Sequence, residues 1–423
     1  MRKLLIANRG AIATRAIDSA RALGLSPIAV AARSDPQTSH TRTADGCEYL
    51  DGDGLAETYD NPGQIVAAAQ RCGADAVYPG YGALAEDPEL AHRLAAAGIG
   101  YIGPTAEVLA QARDKEHAVA TAERLGIPVL PHAAGRTAIT RLVAEIGAPV
   151  IVKPTDGCGG QGVQIAHTTA AAEQILAALP GENGWYAERY VQAGQVVGVT
   201  VAVDDTGTVL ELGERESLLV TGSMKLLEAT PVLGVAPELL ARMRQDTARL
   251  VTGIGLRNIA TVEFIVGPHG YYFLELNGRL PLAFRMCETQ TGADLIALQL
   301  ELARGRSFTP GEITVDPAVH CLEARMFLRP GHTGSLRTLE LFPEPGAVYN
   351  CALDRARPIT LDNIITQVLA AGADRVTVAR TILRALEASD VTGIDHCGPE
   401  IVSWLRASDP ARADLIDHHV LGV

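Results

Sequence analysis

The sequence predicts an α/β protein of mixed (α+β) type. A doubly wound parallel-sheet domain comes first, then antiparallel sheets carrying a glycine-rich lid, then a smaller C-terminal domain. Three observations predict it. Strands and helices alternate over the first hundred residues, apolar runs further on come in pairs joined by turns, and the last hundred residues mix short strands with helices.

Taken in order, Lys3–Ala7 is an apolar run of buried-strand type, stopped by Asn8-Arg9-Gly10. From Ala11 to Leu23 the apolar spacing is helical, and Gly24 ends it. Pro27–Ala32 and Ala74–Tyr78 continue the strand series, and Pro79-Gly80-Tyr81-Gly82 forms a turn before a helical stretch over Glu86–Ala97. Thr105–Leu125 reads as one helix. Pro149–Lys153, the glycine-rich run Asp156–Gly162 and Val163–Ala166 read as a hairpin lid. Val197–Val203, Val209–Leu212, Ala260–Val266 and Tyr271–Leu276 alternate like antiparallel strands, and Pro268-His269-Gly270 joins the last two. Helices are expected at Asp374–Glu387 and Pro399–Arg406. The expected domains are residues 1–110, 111–315 (lid at about 130–200) and 316–423.

Composition narrows the function. At 47% hydrophobic and 20% charged residues, the chain has the make-up of a globular protein. A net charge of −13 argues against nucleic acid as a partner. With no apolar run of membrane-spanning length and an N-terminal run too short for a signal peptide, a membrane association is not expected and a cytoplasmic location is. The seven cysteines form no C-x-x-C pair, which fits reduced, mostly buried thiols.

The chemistry-bearing residues fall into two groups. Glycines at Gly157, Gly159, Gly160 and Gly162 would let backbone N–H groups approach phosphate oxygens. The loop lacks the Walker pattern, and a plain turn is the competing reading. Lys153 gives it weight, because a lysine ending an apolar strand needs an anionic partner. In the second group, Glu263 and Glu275 sit in paired strands, each flanked by apolar residues. Two carboxylates and the amide oxygen of Asn277 suit Mg²⁺ or Mn²⁺ when nucleotide phosphates complete the shell. Glu275, Asn277 and Arg279 have period 2 and share a strand face, so Arg279 would point at a transferred phosphoryl group or an acid. The competing reading is polar alternation on a solvated strand.

In this order the residues resemble the biotin carboxylase family of the ATP-grasp superfamily. Ile6-Ala7-Asn8-Arg9-Gly10 is similar to its first turn, and Tyr78–Gly82 with Glu86 to its H-P-G-Y-G-x-L-x-E segment. Asp114-Lys115, Lys153–Gly162, Glu188–Val191, Glu214-Arg215, Lys225, and Glu263 through Arg279 follow its ATP-grasp pattern. His320–Arg325 and Asp374–Ile394 resemble its C-terminal segments. The resemblance implies that Lys115, Lys153 and the glycines hold ATP phosphates, and that Glu188 and the Val191 backbone hold adenine and ribose. It further implies that Glu263, Glu275 and Asn277 bind magnesium, and that Arg279 and Lys225 act on the acid. Members of the family often dimerise, so a homodimer is among the expected assemblies.

The pattern departs on one side only. Where the family has Gln, Glu and His after its arginine, this chain has Pro281, Ala283 and Phe284, and the family's base for bicarbonate is that Glu. Its P-R-H-V-E-x-Q segment reads Gly194–Thr200 here, its R-R-H-Q-K reads Thr221–Lys225, and its biotin-linked arginine falls on Tyr349. An organic acid arrives ionised and needs no base, and Val196, Val220, Leu282 and Phe284 would give it an apolar lining. The reading favoured by the sequence is therefore an ATP-dependent ligase that activates a small-molecule carboxylate as an acyl phosphate for an amine or other nucleophile. Activation of bicarbonate, with biotin or another acceptor, is the first alternative. A non-catalytic ATP-binding partner protein is the second.

Overall fold

The computed structural model describes residues 1–34, 39–155, 162–222, 224–309, 311–329, 336–351, 363–407 and 420–421. The first sheet is parallel, in the order β3-β2-β1-β4-β5, built from β1 (Lys3–Ile6), β2 (Ser26–Ala32), β3 (Gly46–Leu50), β4 (Ala76–Tyr78) and β5 (Gly100–Tyr101). Successive residues of β1 serve opposite faces, as a pleated strand requires. Leu4 and Ile6 pack with the helix Gly10–Ala22, while Leu5 and Ala7 pack with Ile65, Leu90 and Leu94. The doubly wound expectation holds. Sequence periodicity overlooked β3 and the helix Pro62–Cys72, which Asn61 caps through its side chain and Pro62 starts.

Aspartate caps redraw two expected helices. Thr105–Leu125 is split into Ala106–Arg113 and Lys115–Arg124, because Asp114 turns extended and accepts the N–H of His117 at 3.0 Å. The helix expected at Glu86–Ala97 is Pro88–Ala96, capped by Asp87, with Glu86 ending a separate turn, Ala83–Glu86. The caps place Lys115 at the start of one helix and Glu86 at the end of a turn.

A small antiparallel sheet, ordered β6-β9-β7-β8, comprises β6 (His132–Ala134), β7 (Val150–Pro154), β8 (Gln164–Ala166) and β9 (Trp185–Arg189). It has its own core of Ile139, Val143, Val150, Val152, Ala172 and Leu176.

The largest sheet has nine strands. It includes β10 (Gln195–Val203), β11 (Val209–Thr221), β12 (Met224–Thr230), β13 (Asn258–Gly267), β14 (Gly270–Asn277) and β15 (His320–Phe327). Next come β16 (Thr338–Glu340), β17 (Ala347–Asn350), β18 (Ile364–Gly372), β19 (Asp390–Thr392) and β20 (Val420–Leu421). The order is β14-β13-β10-β11-β12-β15-β18-β17, β20 adds to β11, and β16 pairs separately with β19. One sheet thus runs through the expected boundary at residue 315, because β12 pairs directly with β15. Among the described residues no helix is long and apolar enough to cross a membrane, and the six described cysteines are free.

Candidate active site

One cavity of about 780 Å³ lies where the three sheets meet. The turns after β1 and β4 supply Asn8–Ala11 and Tyr81–Ala83, the small sheet supplies Lys153 and Glu188, and the large sheet supplies Lys225, Glu263, Glu275 and Arg325. Its opening onto the ends of β1 and β4 follows the rule that parallel sheets bind ligands beyond their strand C-termini.

At one end Lys153 donates to Glu188 Oε1 at 2.6 Å, and the Tyr186 hydroxyl donates to Glu188 Oε2 at 2.9 Å. The pair is buried, with Glu188 3% exposed, so Lys153 has the anionic partner that an apolar strand demanded. Lys115 also lines the cavity, and its backbone N–H is tied to the Thr155 carbonyl. Apolar side chains of Leu130, Ile151, Ile165, Val191 and Ile265 complete this end. Gly162 has φ +74°, and a Cβ there would come within 3.0 Å of Pro154. Gly157, Gly159 and Gly160 lie outside the described residues.

The carboxylates stand as expected. Glu263 and Glu275 are register partners on β13 and β14. Asn277 donates to Glu275 Oε1 at 3.0 Å and accepts from Arg279 Nη2 at 3.0 Å, while Arg279 Nε donates to Glu86 Oε1 at 2.8 Å. Burial alone would raise the Glu275 carboxyl, but Lys225 and the Asn277 amide hold it below its ordinary range. Lys225 donates to both oxygens of Glu263. A cation therefore already stands against this carboxylate, and two anionic side chains with an amide oxygen fit a hard divalent ion whose remaining ligands come from phosphate and water. Among the described residues no group of three or more His, Cys, Asp or Glu side chains makes a self-sufficient metal cage.

The sequence reading missed a row of charges crossing the large sheet. Arg215 Nε donates to Glu228 Oε1 at 3.0 Å and its Nη2 lies 3.5 Å from Glu263. Arg325 pairs with Glu228 and, at 2.7 Å, with Glu323. Burial pushes Glu228 up, yet Arg325 and Arg215 overcome it and bring the carboxyl down to about 2. Glu323 has one dominant influence, burial, and is raised. The available signal was Glu228 itself, an acid set in the apolar run Leu226-Leu227-Glu228-Ala229.

The departures acquire physical reasons. Ala283 is fully buried among Met286, Cys321 and Leu369. Phe284 does not line the cavity; it is 1% exposed in the core that Leu4 and Ile6 share, so that expectation is corrected. Val196, Val220 and Leu282 do line it. Gly198, at the position of the lost family Glu, lies under Arg215, whose guanidinium carbon would be 3.1 Å from a Cβ. Tyr349 faces away from the cavity and donates to the Phe342 carbonyl at 2.6 Å; β17 presents Asn350 to it instead.

Residues 1–109 match the family described as "Biotin carboxylase, N-terminal domain", and 114–310 match "Carbamoyl-phosphate synthase L chain, ATP binding domain". Biotin carboxylase 1 of Bacillus subtilis is 30% identical over 431 residues, covering 94% of this chain and 93% of the relative. The biotin carboxylase of Nostoc sp. is 29% identical over 422 residues, covering 93% and 92%. A biotin carboxylase–β,γ-ATP complex from Campylobacter jejuni superposes with TM-score 0.89 at 27% identity, covering 99% and 98%. The biotin carboxylase domain dimer of Hydrogenobacter thermophilus 2-oxoglutarate carboxylase, with MgADP and bicarbonate, gives 0.88 at 26%, covering 97% and 95%. On sequence, fold and the order of its cavity residues, the chain belongs to the biotin carboxylase family of ATP-grasp ligases.

Proposed function

We propose that this chain is an ATP-dependent carboxylase: it activates bicarbonate as carboxyphosphate and passes the carboxyl group to a nitrogen acceptor, biotin being the first to test. The observation that carries the reading is the spared constellation at one end of the cavity, Lys153 on Glu188, Lys225 on Glu263, and Arg279 between Asn277 and Glu86. A relative with the same fold is known with MgADP and bicarbonate, which supports bicarbonate over the organic acid favoured by sequence alone.

In this reading Lys115, Lys153 and Gly162, with Gly157, Gly159 and Gly160, hold the phosphates of ATP, and Glu188 and Val191 hold the nucleoside. Glu263, Glu275 and Asn277 would hold Mg²⁺ or Mn²⁺. When bound, the ion neutralises charge that builds on the phosphates. Arg279 and Lys225 pair with the acid and stabilise the charge that develops on it. The division into residues 1–110, 111–315 and 316–423, a homodimer and a cytoplasmic location belong to the same proposal.

A second reading has one observation in its favour. Ala283 is buried where the family's base would stand, so an acid that needs no deprotonation suits the site. The test is phosphate release from Mg-ATP, with and without bicarbonate, across a panel of carboxylic acids and amines. Stimulation by bicarbonate supports the proposal. Stimulation only by an organic acid replaces it with the acyl-phosphate ligase, and no turnover at all points to a non-catalytic ATP-binding partner.

A further inference from the structure

The chain uses lysine sparingly. Of its 36 Lys and Arg residues only four are lysines, and three of these, Lys115, Lys153 and Lys225, line the cavity. Outside the cavity, Lys3 apart, arginine carries the side-chain positive charge. The two cations treat an anion differently. Arginine's planar fork holds a carboxylate in a fixed geometry, whereas an ammonium on a flexible four-carbon stem can take hold of it and let go.

Lys225 is anchored at one end only. Its backbone is fixed, because it pairs with Val220 on β11 and its carbonyl accepts from Arg325 Nη1 at 3.3 Å. Its side chain is 24% exposed, while Glu263, whose two oxygens the ammonium spans, is 5% exposed. A second cation, Arg215, lies 3.5 Å from Glu263, but its side chain is 6% exposed and it also holds Glu228 and Thr200 Oγ1. Of the two, Lys225 is therefore the one able to leave.

Glu263 and Glu275 are register partners, and like charges placed opposite one another repel unless a cation stands with them. In this structure Lys225 fills that role. A divalent ion taking oxygen ligands from the same pair would bring a second cation to oxygens that the ammonium already spans, and like charges at ion-pair distance repel. The two occupants exclude each other.

We propose that Lys225 is the resident counter-cation of the Glu263–Glu275 pair, that it gives up Glu263 when a divalent ion binds there, and that its ammonium is presented to the acid only once the ion is in place. An acid arriving before the ion meets an ammonium already neutralised by Glu263. The inference rests on the reading of this pair as the ion site.

The experiment follows the lysine and the ion separately, without turnover. Nucleotide-free protein is pulse-labelled with acetic anhydride, with and without Mn²⁺, and acetylation of each lysine is read by mass spectrometry. Mn²⁺ should speed labelling of Lys225 at least threefold and leave Lys3, which bonds the Cys72 carbonyl away from the cavity, unchanged. Glu263→Gln should abolish the acceleration. Mn²⁺ binding is measured in parallel by electron paramagnetic resonance. Lys225→Met should bind Mn²⁺ at least fivefold more tightly than wild type, and Lys225→Arg, whose guanidinium can span the same two oxygens, should bind it no more tightly. Thermal unfolding shows whether each variant is folded, and the labelling of wild type stands without any variant. Unchanged or slower labelling of Lys225 while Mn²⁺ binds, or equal affinity in folded Lys225→Met, overturns the proposal and leaves the ion site standing. No Mn²⁺ binding by wild type or by Lys225→Met overturns both.

Discussion

At the end of the cavity beside the small sheet three cations face carboxylates: Lys153 with Glu188, Lys225 with Glu263, Arg279 with Glu86. At the far wall the exposed groups are the amide of Asn350 and the side chains of Leu282 and Ile364, and the cation behind them is neutralised from two sides. The large sheet reaches both, with Lys225 and Glu263 on β12 and β13 and Asn350 on β17. The difference shows where charge is put to use. At the first end a charged ligand can exchange places with a carboxylate already bound to a cation, so the cation need not be stripped of a partner at any stage. At the second end no such exchange is on offer, and selection has to come from shape and hydrogen bonding.

The contrast breaks most readily in the middle, at the row of buried charges. Arg325→Met leaves Glu228 and Glu323 without a shared partner, both at most 2% exposed. The expected loss is about 3–5 kcal/mol of stability, read by chemical denaturation. A loss below about 1 kcal/mol would show that the row is not what joins the ends. Next in size is the end with the paired carboxylates Glu263 and Glu275. Glu275→Gln removes one anionic oxygen from the expected ion site and should lower kcat for ATP turnover about 10²–10³-fold with folding retained. Unchanged turnover would remove Glu275 from the metal assignment.

Acid gives an effect of about 3 kcal/mol at most. Glu228 lies at about 2 in the fold against an ordinary value of 4.5. Its contribution is complete above about pH 4.5 and is lost as the pH falls towards 2. Glu323, raised by burial, works in the opposite sense and offsets part of it. Thermal unfolding between pH 6 and pH 3 should therefore fall less steeply in Glu228→Gln than in wild type. The smallest change is Gly198→Ala, which pushes a methyl group against the Arg215 guanidinium at 3.1 Å. It should cost about 1 kcal/mol in denaturation, and a neutral result would mean that the guanidinium moves freely.

Much of this was legible in sequence because strand pairing has period 2 and apolar flanks mark burial. Glu263, Glu275 and Asn277 fell on one face for that reason, and Lys153 announced its need for an anion by where it stood. The Arg279–Glu86 contact was not legible, since it joins residues 193 positions apart and depends on a one-turn helix, Ala83–Glu86, whereas the pattern put Glu86 at the start of the following helix. Phe284 was misread because an aromatic beside Leu282 and Ala283 looks like lining; only the start of the helix Phe284–Thr291 turns it into the core. Asn350 was passed over for Tyr349, one residue away, because facing on an edge strand depends on register with β18.

The small sheet β6–β9 has a core largely its own, whereas the large sheet carries the buried charge row unbroken from β13 to β15. A unit with a core of its own can open by itself, so amide hydrogens of the small sheet should exchange through partial opening that leaves the large sheet closed. Access to the cavity from that side would then not require the charged row to come apart.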